Sequence, residues 1–177
     1  MSENPKRKLI RDNAFTLMMA YGFQRTSMDD IAKACGMSRP ALYLVYKNKE
    51  DICRDMVKSV VDQCILGAES ALAAHGPLKT RLLAIIDAGL LEAYFKIAQS
   101  PHGADLIATG SALAGNLIVD WRVRLVALLA RGIGGPHAQA HANLIVDAID
   151  GMKLRTKDAG EMRRGIDTLL SLIVGRR

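Results

Sequence analysis

The sequence predicts an all-α fold of about nine helices: an N-terminal three-helix helix-turn-helix domain followed by a longer C-terminal helical domain. Three observations carry this. Apolar residues recur three and four positions apart along almost the whole 177-residue chain. Strict alternation of Val, Ile and Thr with polar residues, the mark of a half-buried strand, does not occur. Gly, Pro, Ser and Asn fall between the periodic stretches, where helices start and stop.

The first helix is expected over about 6–21, with Ile10, Ala14, Leu17, Met18 and Tyr21 on one face and Gly22 as its stop. The second covers about 28–35. Ser27 caps it, Asp30 is the capping-box partner, and Met28, Ile31, Ala32 and Cys35 form its buried stripe. Gly36 supplies a tight turn. Ser38 then caps a short third helix over about 39–46, with Pro40 in the first turn, where a missing N–H costs little. Asn48 caps a fourth helix that runs to about 74 and ends at His75-Gly76-Pro77. A mostly apolar fifth helix, about 78–99, stops at Ser100-Pro101. A short sixth follows over about 102–110, then a seventh over about 113–132 with the sole tryptophan, Trp121. Gly134-Gly135-Pro136 separate it from an eighth at about 137–154 and a ninth at about 158–174. The division between domains falls inside the fourth helix, giving residues 1–55 and 56–177.

Composition narrows the function classes. The net charge is +6, which favours a polyanionic partner. It is unevenly spread: residues 1–55 hold 10 Lys/Arg against 7 Asp/Glu, residues 56–152 hold 7 against 8, and residues 153–177 hold 7 against 3. Both ends are basic and the middle is near neutral, which suits an N-terminal head facing nucleic acid. Three cysteines, Cys35, Cys53 and Cys64, form no regular framework and argue against a secreted disulfide fold. The opening MSENPKRK is no signal peptide, and no apolar run reaches the ~18 residues of a membrane span. A reduced, cytoplasmic protein is expected.

Thr26 to Lys49 is the strongest constellation. A capped helix, a Gly turn and a second capped helix make a helix-turn-helix, whose second helix can enter the major groove of DNA. At 100° per residue Leu42 and Tyr46 face inward, while Pro40, Ala41 and Leu44 point away. Arg39 can grip a guanine edge through two hydrogen bonds, worth roughly 1–3 kcal/mol of discrimination. Pro40, Ala41 and Leu44 can touch thymine methyl groups, and Tyr43 can donate its hydroxyl to a phosphate. Thr26 and Ser27 can present hydroxyls and N–H groups to another phosphate, and Lys49 sits in a first helical turn that favours an anion. A generic three-helix packing unit is the competing explanation.

Residues 7–52 resemble the N-terminal domain of the TetR/AcrR regulators along their whole length. The matching features are Ala14, Gly22-Phe23, Thr26-Ser27-Met28, Asp30-Ile31-Ala32, Cys35-Gly36-Met37-Ser38, Leu42-Tyr43 and Lys49-Glu50. The resemblance implies that Ser27, Tyr43 and Lys49 touch phosphates while Arg39, Pro40, Ala41 and Leu44 read bases. It departs from the family where Leu44 and Val45 replace a frequent aromatic or His and Tyr46 replaces Phe, so no relative's operator can be transferred. It further implies a homodimer on a palindromic stretch of double-stranded DNA, a ligand cavity and repression; the apolar character of the candidate pocket residues below suggests a small hydrophobic effector, and no cofactor is expected.

For residues 56–177 the resemblance implies a ligand-binding and dimerisation domain. Candidate pocket residues are Met56, Val60, Cys64, Leu91, Tyr94, Phe95, Leu106, Ile107, Leu117 and Trp121, each equally suited to a core. The eighth and ninth helices carry a stripe of Leu144, Ile145, Ala148, Ile149, Gly151 and Met152, then Met162, Ile166, Leu169, Leu170 and Ile173. A seam between two copies is favoured over the domain's own core, because a head of this type needs two half-sites about 34 Å apart. His137 and His141 have metal-pair spacing but no third ligand, so no metal is expected. Cys53 and Cys64 are about 16 Å apart along one helix and cannot pair. Arg163-Arg164 and Arg176-Arg177 read as solvated charges. The alternatives are an effector-independent DNA-binding protein, or a helical small-molecule-binding protein or enzyme with a vestigial head.

Overall fold

The computed structural model describes residues 4–174; the pair Arg176-Arg177 lies outside the described residues. Among them are nine helices and no strand. They are α1 (Pro5–Tyr21), α2 (Met28–Ala34), α3 (Arg39–Tyr43), α4 (Lys49–Ala73), α5 (Leu78–Ile86, a π-turn at Asp87–Leu91, then Glu92–Ala98), α6 (Gly103–Leu113), α7 (Gly115–Ile133), α8 (Ala138–Arg155) and α9 (Ala159–Val174). The chain packs as two compact units. One is Met1–Val60 with Lys96–Ile118, and the other is Val61–Phe95 with Val119–Arg177. The unit boundaries therefore fall inside α4, α5 and α7.

Local signals place the elements of the first unit. Ser27 accepts a hydrogen bond from the Asp30 N–H at 3.1 Å, and the Asp30 carboxylate accepts from the Ser27 N–H at 2.9 Å, which closes the capping box. Those bonds to the ionised form, led by the Ser27 hydroxyl, hold the Asp30 carboxyl below its usual range. Ser38 caps α3 through the Ala41 N–H, and Asn48 caps α4 through the Asp51 N–H. Gly36 turns at φ +63°, a conformation that side chains avoid. The helix expected over about 39–46 ends at Tyr43, but the chain keeps a helical turn to Tyr46, whose N–H donates to the Leu42 carbonyl at 3.1 Å.

Ile10, Ala14, Met18, Ile31, Leu42 and Ile52 form the heart of this unit's core. Tyr21 departs from the expected stripe: it is exposed, because the helix ends beside it and its face has passed beyond the core. Beneath α3 lies a polar knot that periodicity does not reveal. The buried Tyr46 donates its hydroxyl to Asp55. Arg7 reaches the same carboxylate at 3.5 Å and stacks 4.6 Å from the Tyr46 ring centroid. Buried Arg11 approaches it at 3.8 Å. One carboxylate thus joins α1, α4 and the end of the α3 turn. At the other end of the unit, α5 turns into α6 over a close backbone approach: a Cβ on Gly103 would lie 1.8 Å from the Ile97 carbonyl oxygen.

The second unit buries Ile65, Leu82, Ile85, Leu90, Leu125, Leu129 and their neighbours. Its core also takes Ile145, Ile149, Met162, Ile166 and Leu170, which were expected at a seam between copies. The cause is the α8–α9 hairpin, which turns both stripes onto the unit's own interior. Gly67 lets α4 meet α5, with a Cβ there only 3.0 Å from that of Ala88. A Cβ on Gly89 would meet Leu125 at 2.6 Å and Ala68 at 3.2 Å. The π-turn, in which the Glu92 N–H reaches back to the Asp87 carbonyl, brings Gly89 into that contact. The turn is pinned on both sides. Trp121 donates its indole N–H to the Gly89 carbonyl at 3.1 Å, and Arg163 pairs with Asp87 at 3.0 Å. Arg163 is therefore bound to a partner, not simply solvated as its sequence context suggests.

Two outcomes test these packing arguments. Gly103→Ala should lower stability by about 3 kcal/mol, because overpacking against backbone outweighs the ~1 kcal/mol of helix propensity gained; a urea midpoint reads it. Tyr46→Phe should cost about 2 kcal/mol, since it removes a hydrogen bond to a charged group. Burial, then the bond to Asp55, pushes the Tyr46 hydroxyl above its ordinary value. A raised folded value contributes stability in full below the unfolded value near 10 and loses it as pH rises further. The gap between the native protein and Tyr46→Phe should therefore hold steady below about pH 10 and narrow above it, as read by denaturant titration at stepped pH.

Candidate nucleic-acid interface

The first unit presents one face on which apolar and cationic groups stand together in solvent. Leu42 and Tyr46 anchor α3 inward, and this turns Arg39, Pro40, Tyr43 and Leu44 outward, with Ala41 half-buried between them. Leu44 is 86% exposed, a costly place for a leucine unless another surface covers it. Arg39 and Tyr43 lie one turn apart. The guanidinium sits 5.6 Å from the Tyr43 ring centroid, and Nη2 donates to the Tyr43 hydroxyl at 3.5 Å. That bond pushes the Arg39 guanidinium further above its ordinary range. The pair holds a cation and a phenol side by side at the start of the helix.

Ser27 is exposed at the N-terminus of α2, with its hydroxyl already donated to Asp30 at 2.6 Å. Thr26 differs from expectation. It is buried, and its hydroxyl donates to the Gly22 carbonyl at 2.8 Å, so it secures the α1–α2 loop and presents nothing outward. Lys49 also turns inward. Its ammonium donates to the Phe23 carbonyl at 2.6 Å and the Thr26 carbonyl at 2.9 Å, and lies 4.3 Å from the Phe23 ring centroid. Both residues fix the entrance of α2. Their roles escape sequence reasoning because the carbonyls they serve carry no sequence signature. The Tyr46–Asp55–Arg7–Arg11 knot is likewise missed, since ionic residues on one helix do not announce partners on another.

The candidate pocket residues do not gather in one unit. Met56, Val60, Leu106, Ile107 and Leu117 belong to the first, where Met56 and Leu106 are core. Cys64, Leu91, Tyr94, Phe95 and Trp121 belong to the second, where Leu91 and Phe95 are core while Tyr94 and Trp121 are half-buried. Burial pushes the Cys53 and Cys64 thiols up to about 11, and it raises Cys35 as well. None has the lowered pKa of a redox-sensing thiolate. On α8 and α9, Leu144, Gly151 and Leu172 are exposed, and Ala148, Met152, Leu169 and Ile173 are half-buried. His137 and His141 lie with ring centroids 6.3 Å apart.

Comparison with known proteins places this geometry. Residues 10–56 match the bacterial regulatory proteins of the tetR family. The fatty acid metabolism regulator protein of Bacillus subtilis (strain 168) is 23% identical over 169 residues, covering 96% of this chain and 77% of that protein. IcaR, the negative transcriptional regulator of the biofilm operon icaADBC of Staphylococcus epidermidis, is 43% identical over 54 residues, covering 30% of this chain and 29% of its own. Among solved structures, the fatty acid degradation regulator FadR of Bacillus halodurans superposes with a TM-score of 0.69 at 17% identity over 96% of both chains. The TetR family regulator PfmR of Thermus thermophilus gives 0.62 at 19% identity, covering 91% of this chain and 96% of that one. The helix-turn-helix with its outward Arg39–Tyr43–Leu44 face lies inside the matched segment, so residues 10–56 carry a domain of the tetR family of bacterial regulatory proteins and the chain is a DNA-binding transcriptional regulator.

Proposed function

We propose that this regulator is a homodimeric, cytoplasmic repressor that a small hydrophobic effector releases from a palindromic operator. In this reading residues 1–55 bind DNA and residues 56–177 hold the effector and the dimer seam. The outward face of α3 carries the proposal. Arg39 reads a guanine edge, Pro40, Ala41 and Leu44 contact thymine methyl groups, and Tyr43 and Ser27 meet phosphates. Thr26 and Lys49 act through the loop they fix, holding α2 so that Ser27 stays presented.

Repression follows the named role of IcaR over the matched segment. An apolar effector suits Cys64, Leu91, Tyr94, Phe95 and Trp121. Two relatives that match nearly the whole chain are named for fatty acid metabolism and degradation, a chemistry of long apolar chains. Binding would shift the population between two arrangements of the second unit, and the continuous helix α4 would carry the shift to the DNA-reading unit. For the seam, the residues left free by the core are Leu144, Ala148 and Gly151 along one line of α8, with Leu172 on α9. Such a patch can meet its own copy across a two-fold axis.

Selection of bound fragments from random DNA tests the DNA reading. The native chain should enrich a palindrome. Arg39→Ala should relax one base position by roughly 1–3 kcal/mol of discrimination, and Tyr43→Ala should weaken all sequences alike. Absence of any enrichment overturns the reading. Light scattering at micromolar concentration tests the seam: the native chain should be a dimer and Leu144→Asp a folded monomer. A monomeric native chain sinks the dimer.

A further inference from the structure

The second unit holds a lysine where its chemistry is poorly served. Lys153 lies on α8 with its side chain 18% exposed. Its ammonium points over the face of Tyr94, 5.0 Å from the ring centroid, and Tyr94 in turn packs edge-on against Phe95 at 5.4 Å. The buried Cys64 thiol of α4 feels both the Glu92 carboxylate and, in the opposite sense, the Lys153 ammonium. Among the described residues its one hydrogen-bond partner is Asp150, at 3.2 Å. Asp150 is engaged more tightly elsewhere, by Arg122 of α7 at 2.6 Å. The ion-pair chain runs outward from there, since Arg122 also holds Asp147, and Asp150 and Asp147 are 45% and 65% exposed. The innermost member is thus the cation, and its counter-charges sit nearer solvent.

A buried cation with one long, shared contact is a poor source of stability, and an apolar side chain of similar length would pack against Tyr94 at lower cost. The ammonium has three donors, of which Asp150 takes one and Tyr94 receives the face. Burial lowers the pKa of this lysine by disfavouring its charged form, and an anion arriving beside it would supply a full charge-assisted bond. The surroundings are aromatic and thiol, which suit an apolar chain or ring.

We propose that Lys153 anchors the anionic head, carboxylate or phosphate, of an amphiphilic effector whose apolar part lies against Tyr94 and Cys64. This rests on the effector reading above and narrows it: the ligand is not merely hydrophobic but an anionic amphiphile.

Calorimetric titration of the full chain with decanoate, decyl phosphate and 1-decanol tests it, with 2-naphthoate and 2-naphthol as an aromatic pair. The native protein should bind at least one acid about ten-fold more tightly than its alcohol. Lys153→Met should bring acid and alcohol level without weakening the alcohol, and Lys153→Arg should keep the preference. If Lys153→Met does not fold, as seen by circular dichroism, Lys153→Gln serves the same comparison. Equal binding of acid and alcohol to the native chain, a preference that survives loss of the ammonium, or no binding of any probe overturns the proposal. Operator affinity measured in parallel separates the two readings. An acid bound through Lys153 that leaves DNA held removes the effector reading alone. Release of DNA by the alcohols without acid preference removes this inference alone.

Discussion

Helix α3 is too short to hold itself. Five residues cannot repay the cost of helix nucleation, so α3 exists only because its surroundings fix both ends. Ser38 satisfies the Ala41 N–H at its start, Leu42 plugs into the core, and Tyr46 ties its exit to Asp55. Arg7 and Arg11 brace that carboxylate from α1. Every outward residue of α3 inherits its direction from these anchors. The exposure of Leu44 and the pairing of Arg39 with Tyr43 are consequences of Leu42 and Tyr46 being buried on the opposite side.

The loop before α2 obeys the same logic. Backbone carbonyls released at the end of α1 need donors, and Lys49 and Thr26 supply them. Two residues that look like phosphate ligands in one dimension are carbonyl ligands in three. Both hold the loop that leads into α2 and Ser27.

The second unit is organised by close helix approach. Gly67 and Gly89 let α4, α5 and α7 come within Cβ distance, and the π-turn adjusts α5 so that Gly89 faces that contact. Trp121 donates its indole N–H to the Gly89 carbonyl inside that turn. The only tryptophan of the chain is therefore half packing and half polar anchor. Against this apolar interior Lys153 stands out, as does the line of charge from Asp150 through Arg122 to Asp147 that leads from it to the surface.

Much of the first unit was legible in one dimension, because caps, a Gly turn and a helical stripe are local signals and each acts within four residues. Ser27 with Asp30, Gly36, Ser38, Pro40 and Asn48 sit where that chemistry requires. The inward Leu42 and Tyr46 follow from 100° per residue, and so do the outward Pro40 and Leu44. What lies across a helix face was decided only by the tertiary structure. The stripes of α8 and α9 state that Ile145, Ile149, Met162, Ile166 and Leu170 are covered, but periodicity is the same whether the cover is the unit's own core or a second copy. The packed hairpin settles that in favour of the core. The same holds for Thr26, Lys49, Asp55, Arg163 and Lys153. Their partners are carbonyls, carboxylates and ring faces far away in sequence, and a side chain's charge announces that a partner is needed without saying where the fold will bring it.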